Sequence, residues 1–148
     1  METMLYLGLA IAAGICTALQ TSINTALSRT IGSLEGSLVS FTTGTLLLIL
    51  LVLLFGKGQL SLITTVPKWQ LIGGLLGAFL VFTTIVSTPK LGVGLVITGI
   101  MLGQLVMSMI IDKYGLLQTS AVPLSPWRIL GVALITVGIF CIYRGKLG

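Results

Sequence analysis

The sequence predicts an all-α integral membrane protein with five transmembrane helices, and three observations carry that expectation. Hydrophobic residues make up 55% of its 148 positions and charged residues 7%, whereas a soluble domain carries about a quarter charged residues. Residues 4–27, 38–55, 71–86 and 91–111 contain no charge at all, and each is close to the length that crosses roughly 30 Å of hydrocarbon at about 1.5 Å per residue. These runs of Leu, Ile, Val and Gly also lack the dyad alternation of a barrel strand, which leaves helices to satisfy the backbone in lipid. The expected helices lie at about 4–28, 36–55, 69–87, 91–112 and 127–143, in one membrane domain over 1–148.

The breaks between them follow from local chemistry. A polar stretch at 29–36 separates the first two helices, and 56–68, with Lys57, Gly58 and Pro67, separates the second from the third. Trp69 opens the third helix where an indole finds both an apolar and a wet side. Ser87, Thr88, Pro89 and Lys90 form a very short next connection, since Pro89 is a poor residue to continue a helix. The last connection, 112–128, carries Pro123 and Pro126, and Trp127 and Tyr143 bracket the shortest span. The first segment lacks a basic leader and runs into Thr17, Gln20 and Asn24, so it reads as a retained helix rather than a signal peptide.

Five crossings would place the termini on opposite sides, and the basic residues then divide evenly. Lys57, Lys68, Lys113 and Arg128 fall on one side; Arg29, Lys90, Arg144 and Lys146 fall on the other. The positive-inside rule therefore assigns no orientation. A small protein with a noisy bias is one reading. Dual topology is the other: copies insert both ways and pair antiparallel, rebuilding in trans the inverted repeats of many transporters. The formal net charge of +5 sits at helix ends rather than in a patch, which suits lipid headgroups and not nucleic acid.

The first helix carries the clearest pattern. Thr17, Gln20, Thr21, Asn24 and Ser28 follow 3, 4, 7 and 11 residue spacings and so share one face. Ile11, Ile15, Leu19, Ile23 and Leu27 occupy the remainder, suited to lipid or helix contacts. Amides can simply bridge helices, but five hydroxyl or amide groups in line also suit the wall of a polar cavity. On the fourth helix, Thr98, Met101, Gln104, Ser108 and Asp112 form a second row, with Gly92, Gly99 and Gly103 on another side. The candidate substrate-binding residues are accordingly Thr17, Gln20, Thr21, Asn24, Gln104 and Ser108. Gly73, Gly77, Gly99 and Gly103 are candidate helix-packing positions, because glycine lets two backbones approach closely. Ser37, Ser40 and Gly44 share a face of the second helix, and Glu35 near its start is favoured by the helix dipole.

Several chemistries find no residues. No Asp, Glu, Lys, Arg or His lies in the middle of any span, where such groups mark ion or proton relays. This argues for a neutral, zwitterionic or anionic small solute over a proton-coupled exporter of organic cations. With no His and only Cys16 and Cys141, both in apolar runs, no metal site, disulfide or cofactor is expected. No nucleophile, general base and orienting group can be placed together in one membrane layer, so no catalytic residue and no enzyme is expected.

The motifs also carry a resemblance. Gln20-x-x-Ile23-Asn24, Ser40-Phe41-x-x-Gly44-Thr45, Trp69-x-x-x-Gly73-Gly74-x-x-Gly77-Ala78, Pro89-x-Leu91-Gly92, Gly103-Gln104-Leu105 and Ile111-Asp112-x-x-Gly115 stand in order along nearly the whole chain. Together they resemble the YdcZ-type family of the drug/metabolite transporter superfamily. The resemblance implies a five-helix unit in the bacterial inner membrane, alone or as paired and fused copies, with a transport role. Short multidrug transporters of that superfamily look similar in their antiparallel pairing but carry a central acid in helix one, where this chain has Thr17 and Gln20.

The expectation is thus a small-molecule transporter working by alternating access as an antiparallel ten-helix homodimer, or as a pair with a close paralogue. A non-transporting assembly subunit and a channel are the alternatives. Even charge sharing makes one direct prediction. Two reporters fused separately to the C-terminus, one active only inside the cell and one only outside, should both be active; activity of a single type means one fixed orientation.

Overall fold

In lipid, the helix is the element that satisfies its own backbone, and among the described residues the chain forms helices and connections with no strand. The computed structural model describes residues 2–147, and for Gln118, Lys146 and Leu147 the backbone alone. The side chain of Lys146, one of the basic groups weighed above, therefore lies outside the described residues. The elements are α1 (Glu2–Ile31), α2 (Ser33–Phe55), α3 (Gly73–Leu91), α4 (Val93–Tyr114) and α5 (Pro126–Leu147), with short 3₁₀ turns at Leu60–Thr64, Lys68–Ile72 and Leu116–Gln118. All five are long and apolar enough to cross a membrane. The chain divides into two compact units, residues 1–90 and 91–148.

In the first unit α1 packs on α2, and their link is far shorter than the polar stretch 29–36 suggests. Helix α1 runs on through Arg29 and Thr30, and Gly32 alone makes the break, at φ 99° and ψ 158°. Its N–H still donates to the Ser28 carbonyl (2.9 Å) and its carbonyl accepts from Gly36 N–H (2.9 Å), so Gly32 itself keeps both of its helical hydrogen bonds across the break. The Glu35 carboxylate turns back over Gly32, in the space a β-carbon would fill, close to the positive end of α2. Gly36 is buried against α1: a β-carbon there would stand 3.2 Å from Ser28 Cβ. Polar residues thus mark this connection in the sequence, but a single positive-φ glycine suffices to reverse the chain.

A similar correction applies at the end of α3. The expected connection Ser87 to Lys90 is helical throughout, and Pro89 sits inside α3. Proline forfeits its own bond to the Ile85 carbonyl, yet the break falls at Gly92, whose φ 83° and ψ 156° repeat the backbone of Gly32.

The second unit is built on α4 against α5. Gly115 ends α4 in the left-handed region (φ 58°), its N–H directed to the Asp112 and Ile111 carbonyls. The Asp112 carbonyl also accepts from Val122 N–H (2.8 Å), and its carboxylate accepts from Arg128 Nη1 (2.9 Å). One residue thereby ties down both the returning loop and the start of α5. Ser125 caps α5, its hydroxyl accepting from Trp127 N–H (3.3 Å), and Pro126 takes the first helical position, where the missing N–H costs nothing. Helix α5 is longer than the span expected at 127–143, because this cap and the helix-competent run after Tyr143 extend it at both ends.

Gly92 separates a backbone demand from a packing demand, since a β-carbon there would meet nothing within 4 Å. Gly92→Ala should therefore destabilise the fold by about 1–3 kcal/mol through its φ/ψ alone, whereas Gly94→Ala, in open helix, should not. Unfolding titrations of both variants in mixed micelles check this.

Candidate functional site

Hydroxyls and amides fare differently inside a transmembrane helix. A Ser or Thr can donate to a carbonyl one turn back, and here half of those in the helices do. Thr17 Oγ1 donates to the Ala13 carbonyl (2.9 Å), Thr84 to Val81 (2.7 Å), Thr88 to Thr84 (2.6 Å), Thr98 to Gly94 (2.9 Å) and Ser108 to Leu105 (2.9 Å). An Asn or Gln amide carries two donors and an acceptor that this device does not serve. Among the span residues, the amides are therefore the groups that require a partner from another helix, a second molecule or water.

Asn24 has such a partner. Its Nδ2 donates to Ser40 Oγ of α2 at 3.0 Å, and the residue is only 6% exposed. Thr21 and Thr25 beside it on α1, and Ser37 on α2, are also buried. Ser37 donates to the Ser33 carbonyl (2.8 Å), whereas Thr25 Oγ1 is buried with no hydrogen-bond partner among the described residues. The α1–α2 contact is thus a polar seam, while Ile11, Ile15, Leu19 and Ile23 of α1 stand exposed. In lipid that exposed face is the stable one.

Gln20 borders the seam without joining it. Its side chain is exposed and makes no hydrogen bond within the described residues, and it lines an open groove of about 340 Å³ with Ser40, Phe41, Gly44, Thr45, Leu48 and Gly74. Ser40 links the groove to the buried Asn24 pair. A β-carbon on Gly77 of α3 would stand 3.4 Å from the Phe41 ring, so α3 reaches this wall of the groove as well. Thr17 is exposed one turn along α1.

Gln104 and Ser108 stand on α4 in the second unit. The row to which they belong borders two separate grooves against α5. Thr98 and Met101 line one of about 330 Å³ with Leu134, Ile135 and Gly138. Ser108 and Asp112 line another, of about 300 Å³, with Arg128, Gly131 and Val132. Gln104 lies between, exposed and lining neither. Asp112 is paired with Arg128 at 2.9 Å, both partly exposed, rather than standing as the solvated helix-end charge its sequence position suggests. Of the candidate packing glycines, Gly77 meets Phe41, while Gly73, Gly99 and Gly103 meet no described residue within 4 Å.

Thr25, Thr84 and Thr88 are not among the site residues expected from sequence, yet they are buried on equal terms with Thr21. Thr25 follows Thr21 by one turn and was visible on that spacing. Thr84 shares a face of α3 with Gly73 and Gly77 by spacing, and the hydroxyls of Thr84 and Thr88 are both consumed by their own helix.

Compared with known proteins, residues 5–141 match the family model described as "Putative inner membrane exporter, YdcZ". The chain belongs to the YdcZ family. It is 28% identical to the inner membrane protein YdcZ of Escherichia coli strain K12, over 97% of this chain and 98% of that protein. No solved structure matches it. A multi-pass location in the inner membrane follows from this YdcZ membership together with the five membrane-length helices.

The Asn24–Ser40 bond is the one side-chain hydrogen bond between α1 and α2 among the described residues. A double-mutant cycle with Asn24→Ala and Ser40→Ala should return a coupling of about 0.6 kcal/mol, the usual size for such a bond in a membrane. Unfolding in mixed micelles measures it, and additive single effects would mean that the two side chains stabilise the hairpin independently.

Proposed function

We propose that this chain is a small-molecule transporter of the inner membrane, acting as an exporter by alternating access in an antiparallel ten-helix pair. The observation that carries the reading is Gln20: a mid-span amide without a hydrogen-bond partner among the described residues, at the edge of a polar seam, facing a groove of hydroxyls, glycines and apolar side chains. An amide left bare in hydrocarbon is costly, so this position favours a solute, water or a second copy as its partner. Gln104 on α4, also exposed and without a hydrogen bond among the described residues, makes the same demand.

In the proposed pair, Thr17, Gln20, Thr21, Asn24, Gln104 and Ser108 line a shared midplane site, and rocking of one protomer against the other exposes it to either side. Gly73, Gly99 and Gly103, open within this chain, would receive the partner's helices. The even division of basic residues supports insertion in both orientations. The substrate class is a small neutral, zwitterionic or anionic solute, because the spans hold no central charge to balance a cation. The family's description, "Putative inner membrane exporter, YdcZ", supports the transport role and its outward direction.

Flux in proteoliposomes, screened over several solute classes, tests this directly. Gln20→Leu and Asn24→Leu should each lower saturable flux by about ten-fold or more, the scale of a hydrogen bond left unmade in a dry site, while dimers still form. Normal flux in both variants would remove the site from α1. Unitary currents without counterflow would favour a channel, and capture of another membrane protein without flux would favour an assembly subunit.

A further inference from the structure

The groove on the other side of α4 and α5 is built differently from those above. Val106, Met109 and Ile110 of α4, Leu124 of the connection, and Ile129 and Val132 of α5 form apolar walls around about 300 Å³, and Lys113 and Tyr114 stand at one end. That end is the last turn of α4. Tyr114 is 64% exposed and Trp127, at the start of α5, 80% exposed, the placement that such rings take at headgroup depth. From Lys113 back to Val106 the groove follows α4 for roughly 10 Å into the span.

Lys113 is the charge at this mouth. Its Nζ lies 5.2 Å from the centre of the Tyr114 ring, and it has no carboxylate partner among the described residues, since neighbouring Asp112 is held by Arg128. The rest of the chain has little to offer it. The sequence contains three acidic side chains: Asp112, Glu35, which is turned back over Gly32, and Glu2. A second copy seated in this groove would thus bury apolar surface but bring almost no negative charge to the ammonium. An anionic phospholipid brings both, an acyl chain for the apolar walls and a phosphate for the amine.

We propose that the α4–α5 groove is a binding site for an anionic phospholipid, whose acyl chain lies along Val106, Met109, Ile110 and Ile129 while its phosphate meets Lys113. The site is separate from the Gln20 groove and does not depend on what the protein transports.

Native mass spectrometry of the full chain, released from nanodiscs of equal phosphatidylglycerol and phosphatidylcholine, tests it. The wild type should retain phosphatidylglycerol preferentially. Lys113→Gln should cut that preference about five-fold, the effect of one lysine near an anionic surface. Val106→Trp, which fills the inner end of the groove, should lower retention of both lipids. Lys57→Gln, a cation in the connection before α3, should leave the ratio unchanged. A wild-type ratio in Lys113→Gln, an equal loss in Lys57→Gln, or undiminished retention in Val106→Trp would each overturn the site. So would a groove occupied by a second copy, seen as weaker dimers in Val106→Trp with no lipid preference.

Discussion

Hydrocarbon supplies no hydrogen bonds, and every feature of this chain answers to that. Each backbone N–H and C=O in the span must find a partner within the protein, so the apolar segments become five helices. At Gly32 the break is confined to one residue of positive φ, which keeps both of its own helical hydrogen bonds. The same demand inverts the usual distribution of side chains. The buried residues of the first unit are mostly Thr, Asn and Ser, while Leu and Ile face outward.

Within that constraint, residue types sort by how many polar atoms they must place. A hydroxyl can satisfy itself on the preceding turn, which is why Thr84 and Thr88 are buried without a cross-helix partner, although Thr25 makes no such bond among the described residues. Amides cannot, and the three in the spans have distinct fates. Asn24 is paired with Ser40, while Gln20 and Gln104 remain exposed. The polar seam joins α1 to α2 through Asn24, and the groove beside it leaves Gln20 exposed on the same helix face. At the far end of the chain, Asp112 serves adhesion alone, tying loop and α5 to α4 through both its carbonyl and its carboxylate.

The helices were legible because hydrophobic length is a one-dimensional property. The 24 charge-free residues at 4–27 cannot be anything shorter than a span, whatever they touch. Their ends were less legible. Arg29 and Thr30 read as loop by polarity yet complete α1, and Pro89 reads as a stop yet lies within α3. In both cases the break waited for the nearest glycine able to adopt positive φ, a requirement of backbone geometry that polarity does not report. The common face of Thr17, Gln20, Thr21 and Asn24 was equally plain from spacing, but its division into buried and exposed members was not.

Sequence alone determined that this chain lives in a membrane, crosses it by helices, carries one polar stripe on α1 and another on α4, and belongs with the YdcZ proteins, because composition, length and periodicity are properties of the chain before it packs. Tertiary structure decided the rest. It selected Asn24 over Gln20 as the amide that α2 satisfies, paired Asp112 with Arg128 sixteen residues away, and left Lys113 beside an apolar groove. Each of those outcomes depends on the angle at which one helix meets another, and a periodic pattern names a face without saying which of its residues lies nearest the neighbour.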